Sequence, residues 1–125
     1  MIGMHFERLQ VWQRSMHLAE ELYAIVRSFP PLELYGLSSQ IRRAAVSVPS
    51  NIAEGSQRTS AKEFAHFLLI ARGSLAEIQT QCLLAKRLRY IAPDDAQKFY
   101  GESEEISKML YALHKKLTSS SKSRI

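Results

Sequence analysis

The chain holds a single cysteine, Cys82, so no disulfide can form within it. That cysteine falls in a helical apolar row and reads as a small buried hydrophobe. No run of about 18 apolar residues occurs, which excludes a membrane-spanning helix. The opening MIGMHFERLQ lacks a signal-peptide core, which points to the cytoplasm, and Met4 offers an alternative start. There is no glycine-rich phosphate loop. His5, His17 and His114 are scattered, and Cys82 has no evident base beside it, so no nucleophilic machinery is assembled. A di-iron bundle needs two Glu-x-x-His motifs, and only Glu63–His66 is present. No metal, cofactor, small-molecule substrate or enzymatic activity is therefore expected. Also missing are aromatics interleaved with basic residues on a strand, the usual mark of a protein that reads RNA sequence.

What is present is helical. With 46% hydrophobic and 23% charged residues, 125 residues fit one globular domain, 1–125. Turn-forming residues gather in FPPLELYG, EGSQRTS and YIAPDD, and the segments between them carry helical periodicity. From Leu9 to Phe29 one seam is Leu9, Trp12, Met16, Ala19, Tyr23 and Val26. A second row, Val11, Leu18 and Ile25, widens it to an arc of roughly 160°. The second helix presents Leu37, Ile41, Ala44, Ala45, Val48 and Ile52, with Gly55 as its expected left-handed stop. Pro49 lies in its middle, where it removes one backbone hydrogen bond and predicts a kink or a restart. SAKE, Ser60 to Glu63, is a capping box for the third helix. Its seam is Phe64, Leu68, Ala71, Leu75, Ile78, Cys82 and Ala85, and a separate row holds Leu69, Ala76, Leu83 and Tyr90. Pro93, followed by Asp94 and Asp95, opens the fourth helix.

Four helices joined by short loops, with seams at 3.5-residue spacing, predict an all-α, up-down-up-down four-helix bundle with a proline-kinked second helix. Ordered helices are expected over about residues 6–117, with 118–125 as a basic tail. The surplus apolar rows admit two readings. One is a thick core, and the other is a self-association surface built from Val11, Leu18, Ile25, Leu69, Leu83 and Tyr90.

Lysine and arginine total 17 against 12 acidic residues, a net charge of +5. In the expected topology the excess collects at one end. There Arg8, Arg58, Lys62, Lys115, Lys116, Lys122 and Arg124 face only Glu7, Glu54 and Glu63. Such a footprint suits phosphates, though lysines near a helix C-terminus also simply oppose the dipole. Arg42 and Arg43 are either phosphate contacts or ion-pair partners of Glu54 and of neighbouring helices.

Several stretches together resemble one family. They are Val11–Trp12, Phe29–Pro30, YGLSSQIRRAAVSVPSNIAEG from Tyr35 to Gly55, RTSAKEF from Arg58 to Phe64, and GSLAEIQTQ from Gly73 to Gln81. The family is that of the four-helix-bundle proteins encoded within intervening sequences of bacterial 23S rRNA genes, and the resemblance covers about residues 6–117. It implies a four-helix bundle assembled into a homopentamer. A related group, the accessory proteins of diversity-generating retroelements, forms similar basic pentamers that bind nucleic acid and a reverse transcriptase. The family offers no catalytic residues to carry over. The leading expectation is a non-enzymatic homo-oligomer that binds RNA or DNA through backbone phosphates, using Arg58, Lys62, Lys115 and Lys116 with Arg42 and Arg43. The alternative is a protein-interaction scaffold without nucleic-acid affinity.

Overall fold

The computed structural model describes residues 5–122. Four α-helices follow in order: α1 (Gln10–Val26), α2 (Leu37–Ser56), α3 (Ala61–Arg87) and α4 (Pro93–Lys122). Two short 3-10 turns, Phe6–Arg8 and Pro31–Glu33, precede α1 and α2, and no strand occurs among the described residues. Each helix packs against its neighbours in sequence, and α4 returns to α1, so the bundle closes up-down-up-down. The contact of α1 with α4 is the slightest, and the inter-helix ion pairs among the described residues lie in it. Arg14 grips Glu102 with Nε at 3.0 Å and Nη2 at 2.6 Å from its two carboxylate oxygens, and Lys98 pairs with Glu21.

Because α1 leans chiefly on α2, its core face keeps only part of the seam first expected: Leu9, Ala19 and Val26 are buried and Trp12 packs against the core. Val11, Ser15, Leu18 and Leu22 are buried, while Met16 and Tyr23 are 37% and 39% exposed. A wide apolar arc leaves the rotation of a helix undecided, and packing against α2 turns the Val11–Leu18 row inward. Val11 and Leu18 are therefore core residues and leave the expected self-association surface. The seams of α2 and α3 are buried as their periodicity requires, and α4 buries Ala96, Phe99, Ser103, Ile106, Leu110 and Leu117 at the same three-and-four spacing, with Phe64, Leu68, Ile78, Ile106 and Leu110 fully enclosed.

Local chemistry explains the ends. Ser60 Oγ accepts from the Glu63 backbone N–H at 3.1 Å, which supplies one half of the capping box at the start of α3. At the start of α2 the cap is Glu33, whose Oε1 accepts from Leu37 N–H at 2.9 Å, while its Oε2 accepts from the Tyr90 hydroxyl at 2.9 Å. One carboxylate thus ties the beginning of α2 to the end of α3. These donors hold the Glu33 carboxyl below its usual range, the Leu37 N–H contributing most. Helix α2 continues on both sides of Pro49, which is itself buried, so no restart occurs there. Asn51 Nδ2 spans the proline turn to the Ser47 carbonyl at 2.8 Å and the Ser47 hydroxyl at 2.9 Å.

Two expectations are corrected. Gly55 is not a left-handed stop, because α2 runs one residue further and Gln57 caps it with right-handed φ −93°. Glycine is needed there for space: a Cβ would lie 2.7 Å from Phe67 Cβ and 3.0 Å from Phe64 Cδ1. The tail also begins later than expected. Helix α4 carries through residues 118–122, with Thr118 Oγ1 donating to the His114 carbonyl at 3.0 Å. Residues 123–125, including Arg124, lie outside the described residues.

Candidate nucleic-acid interface

The cross-helix contacts Arg72–Ser107 and Gln79–Glu104 fix the register of α3 against α4. In that register Lys115 and Lys116 lie beside the first two turns of α3, where Lys62 sits, and the 57–60 loop adds Arg58. The structure therefore brings the four expected basic residues to one end of the bundle. Helices run alternately up and down, so their dipoles largely cancel at this end and the side chains set the potential.

The four cations are not equivalent. Lys62, Lys115 and Lys116 are exposed and make no ion pair among the described residues. Arg58 is already engaged: Nη2 donates to Glu54 Oε1 at 2.7 Å, and its guanidinium lies 4.8 Å from the Phe67 ring centroid. The spacing of Glu54 and Arg58, four residues apart on one helix approach, was a legible signal for that pair. It also answers the question of Glu54, which pairs with Arg58 and not with Arg42 or Arg43.

Arg42 and Arg43 lie elsewhere. They stand roughly 20 Å from the end of α2 at 1.5 Å per residue, so they do not join the basic end. Arg42 is half-buried and donates from Nη2 to the Leu34 carbonyl at 3.2 Å. Arg43 is exposed on the wall of a polar groove between α2 and α3. That groove, about 480 Å³, is also lined by Gln40, Ser47, Ser74, Glu77 and Gln81. Its floor is the Ser74–Ser47 hydroxyl contact at 2.8 Å. The groove was not foreseen, because only the α2–α3 register brings Arg43 opposite Glu77 and Gln81.

The expected association residues divide. With Val11 and Leu18 in the core, Ile25 and Tyr90 are partly buried and pack against it. The Tyr90 ring lies 5.4 Å from Phe29, and its hydroxyl is held by Glu33. Leu69 and Leu83 remain at the surface of α3, where Ile70 and Leu84 are also exposed, as is Leu88 at its C-cap. Periodicity had missed a second exposed patch. Met16, Tyr23 and Val46 line a groove between α1 and α2 beside Pro49, again about 480 Å³.

Cys82 is buried, and burial pushes its thiol up to about 11, so it stays protonated at neutral pH. Among the described residues no group of three or more His, Cys, Asp or Glu side chains is arranged to hold a metal ion. No helix among them is long and apolar enough to cross a membrane.

The family model of the 23S rRNA-intervening sequence protein matches residues 7–112. The chain belongs to that family. The match contains all of α1 to α3 and most of α4, and with them the whole motif from Tyr35 to Gly55. Among solved structures, this family member is similar to a protein of unknown function from the S23 ribosomal protein family of Bacteroides thetaiotaomicron. The two share 27% identity with a TM-score of 0.76, covering 84% of this chain and 98% of the other. No curated protein matches.

Proposed function

We propose that this protein binds RNA through backbone phosphates at the basic end of its bundle, without catalysing a reaction. It acts in the cytoplasm as a homo-oligomer, and the family resemblance makes a pentamer the expected form. One observation carries the reading: Lys62, Lys115 and Lys116 gather at one end with no carboxylate partner among the described residues. Unpaired ammonium groups need no internal ion pair broken before they meet a phosphate, so counterion release goes undiminished into affinity. Membership of a family associated with 23S rRNA intervening sequences favours RNA over another polyanion. The exposed leucines of α3 favour assembly, and a closed ring would place several basic ends on one face.

A second reading, a protein-interaction scaffold, is favoured by the same α3 leucines and by the Met16–Tyr23–Val46 groove. Fluorescence anisotropy with a labelled structured RNA at several salt concentrations separates the two. Phosphate binding gives a log affinity that falls linearly with log salt, with a slope of about 0.7 to 0.9 per contact. Absence of binding at low salt would leave the scaffold reading alone. Light scattering at micromolar concentration tests assembly, for which a monomer is the opposing result.

A further inference from the structure

The groove between α2 and α3 holds three polar groups without partners among the described residues. Gln81 is only 9% exposed, yet its Oε1 has no hydrogen-bond partner among the described residues. Arg43 and Glu77 line the same groove with opposite charges, yet no N···O approach within 4.0 Å joins them. A buried amide oxygen left unmet is costly, and an unpaired guanidinium facing an unpaired carboxylate leaves space for a molecule to bridge them. Such a molecule must present an acceptor to Arg43 and adjacent donors to Glu77 and Gln81.

We propose that the groove receives one unpaired guanine of a bound RNA strand, an inference that rests on the RNA reading above. Guanine carries its O6 and N7 acceptors together, which suits the forked donors of an arginine such as Arg43. Beside them lie N1–H and the N2 amino group, two adjacent donors for the Glu77 carboxylate and for the Gln81 amide oxygen, which is enclosed and must turn outward into the groove to accept. Adenine sets an acceptor, N1, where guanine has a donor. Cytosine follows its one amino donor with two acceptors, and uracil flanks its single N–H with two carbonyls. Only guanine satisfies all three groups without opposing a lone pair to a carboxylate.

The groove is within reach of the basic end. Lys62, His66, Gly73 and Glu77 stand at i, i+4, i+11 and i+15, on one exposed face of α3. Nothing lies within 4 Å of where a Cβ on Gly73 would be, so the surface of a single subunit is open at that point. Lys62 to Glu77 is roughly 22 Å along the helix, a distance that a few nucleotides span.

Anisotropy with labelled oligouridine, all-uridine or bearing one central guanosine, tests the proposal on the full chain. The guanosine strand is expected to bind about tenfold tighter. Inosine, which lacks the N2 amino group, and 7-deazaguanosine, which lacks N7, should each recover only part of that gain. Glu77→Gln, at an exposed position, should abolish the preference without changing the salt slope; Gln81→Leu, checked for folding by its melt, should do likewise. Lys115→Gln with Lys116→Gln should lower the slope and keep the preference. Equal affinity for the two strands, with salt-dependent binding intact, would overturn the guanine site alone. No binding of either strand at low salt would overturn the RNA reading and the site with it.

Discussion

Three glycines inside helices make the packing testable by one repeated substitution to alanine. At Gly73 and Gly101 a Cβ would meet nothing within 4 Å, so the helix gains alanine's propensity with no steric cost. That gain is about 0.5 to 1 kcal/mol each. At Gly55 the same propensity term is opposed by crowding. The new Cβ would stand 2.7 Å from Phe67 Cβ, 3.0 Å from Phe64 Cδ1 and 3.3 Å from the Phe64 carbonyl oxygen. Phe64 is fully buried and cannot swing aside, so α2 and α3 must separate. At 2.7 Å the crowding falls in the upper part of the overpacking range, about 2 to 3 kcal/mol, which leaves Gly55→Ala net destabilised by about 1 to 2.5 kcal/mol. Urea unfolding followed by circular dichroism, at one fixed protein concentration, reads all three. The expected order of midpoints is Gly73→Ala and Gly101→Ala above wild type, and Gly55→Ala below it. A Gly55→Ala protein as stable as wild type would refute the close approach of α2 to α3.

Two further outcomes follow from particular residues. Arg89 closes α3 with φ 64°, its N–H bonded to the Lys86 carbonyl at 3.0 Å and the Tyr90 N–H to the Ala85 carbonyl at 2.8 Å. This is a Schellman ending with arginine where glycine is favoured, so Arg89→Gly should gain about 1 kcal/mol and raise the melting midpoint by roughly 3–5 °C. An unchanged midpoint by thermal melting would contradict that strain. Burial pushes the Cys82 thiol up to about 11, so the unfolded chain loses this proton first as pH rises. The contribution is fully present below the ordinary thiol value and is lost as pH climbs to about 11, by about 2 to 3 kcal/mol. Urea midpoints from pH 8 to 10.5 should fall more steeply in wild type than in Cys82→Ala, and equal slopes would count against a buried thiol.

The helices and their order were legible because each has both a period and a punctuation: Ser60 with Glu63, Pro93 with Asp94 and Asp95, and the apolar rows of α2 to α4. The rotation of α1 was not, because two apolar rows lie side by side on it and only contact with α2 decides which is buried. Gly55 was found for the wrong reason, since a left-handed cap and a close helix crossing both require the missing Cβ. The basic end followed from topology, and three of its four residues make no ion pair among the described residues. Glu33 and the α2–α3 groove were invisible in the sequence. Glu33 joins residues 4 and 57 positions away, and the groove depends on a register that no local pattern encodes.

The salt dependence of RNA binding in wild type against the triple variant Lys62→Gln, Lys115→Gln, Lys116→Gln tests the central claim most directly. Three lost phosphate contacts should lower the log–log slope by about 2 for single-stranded RNA, with weaker binding at every salt concentration and an unchanged melting midpoint. A triple variant that binds RNA with the wild-type slope would contradict phosphate recognition at this end of the bundle.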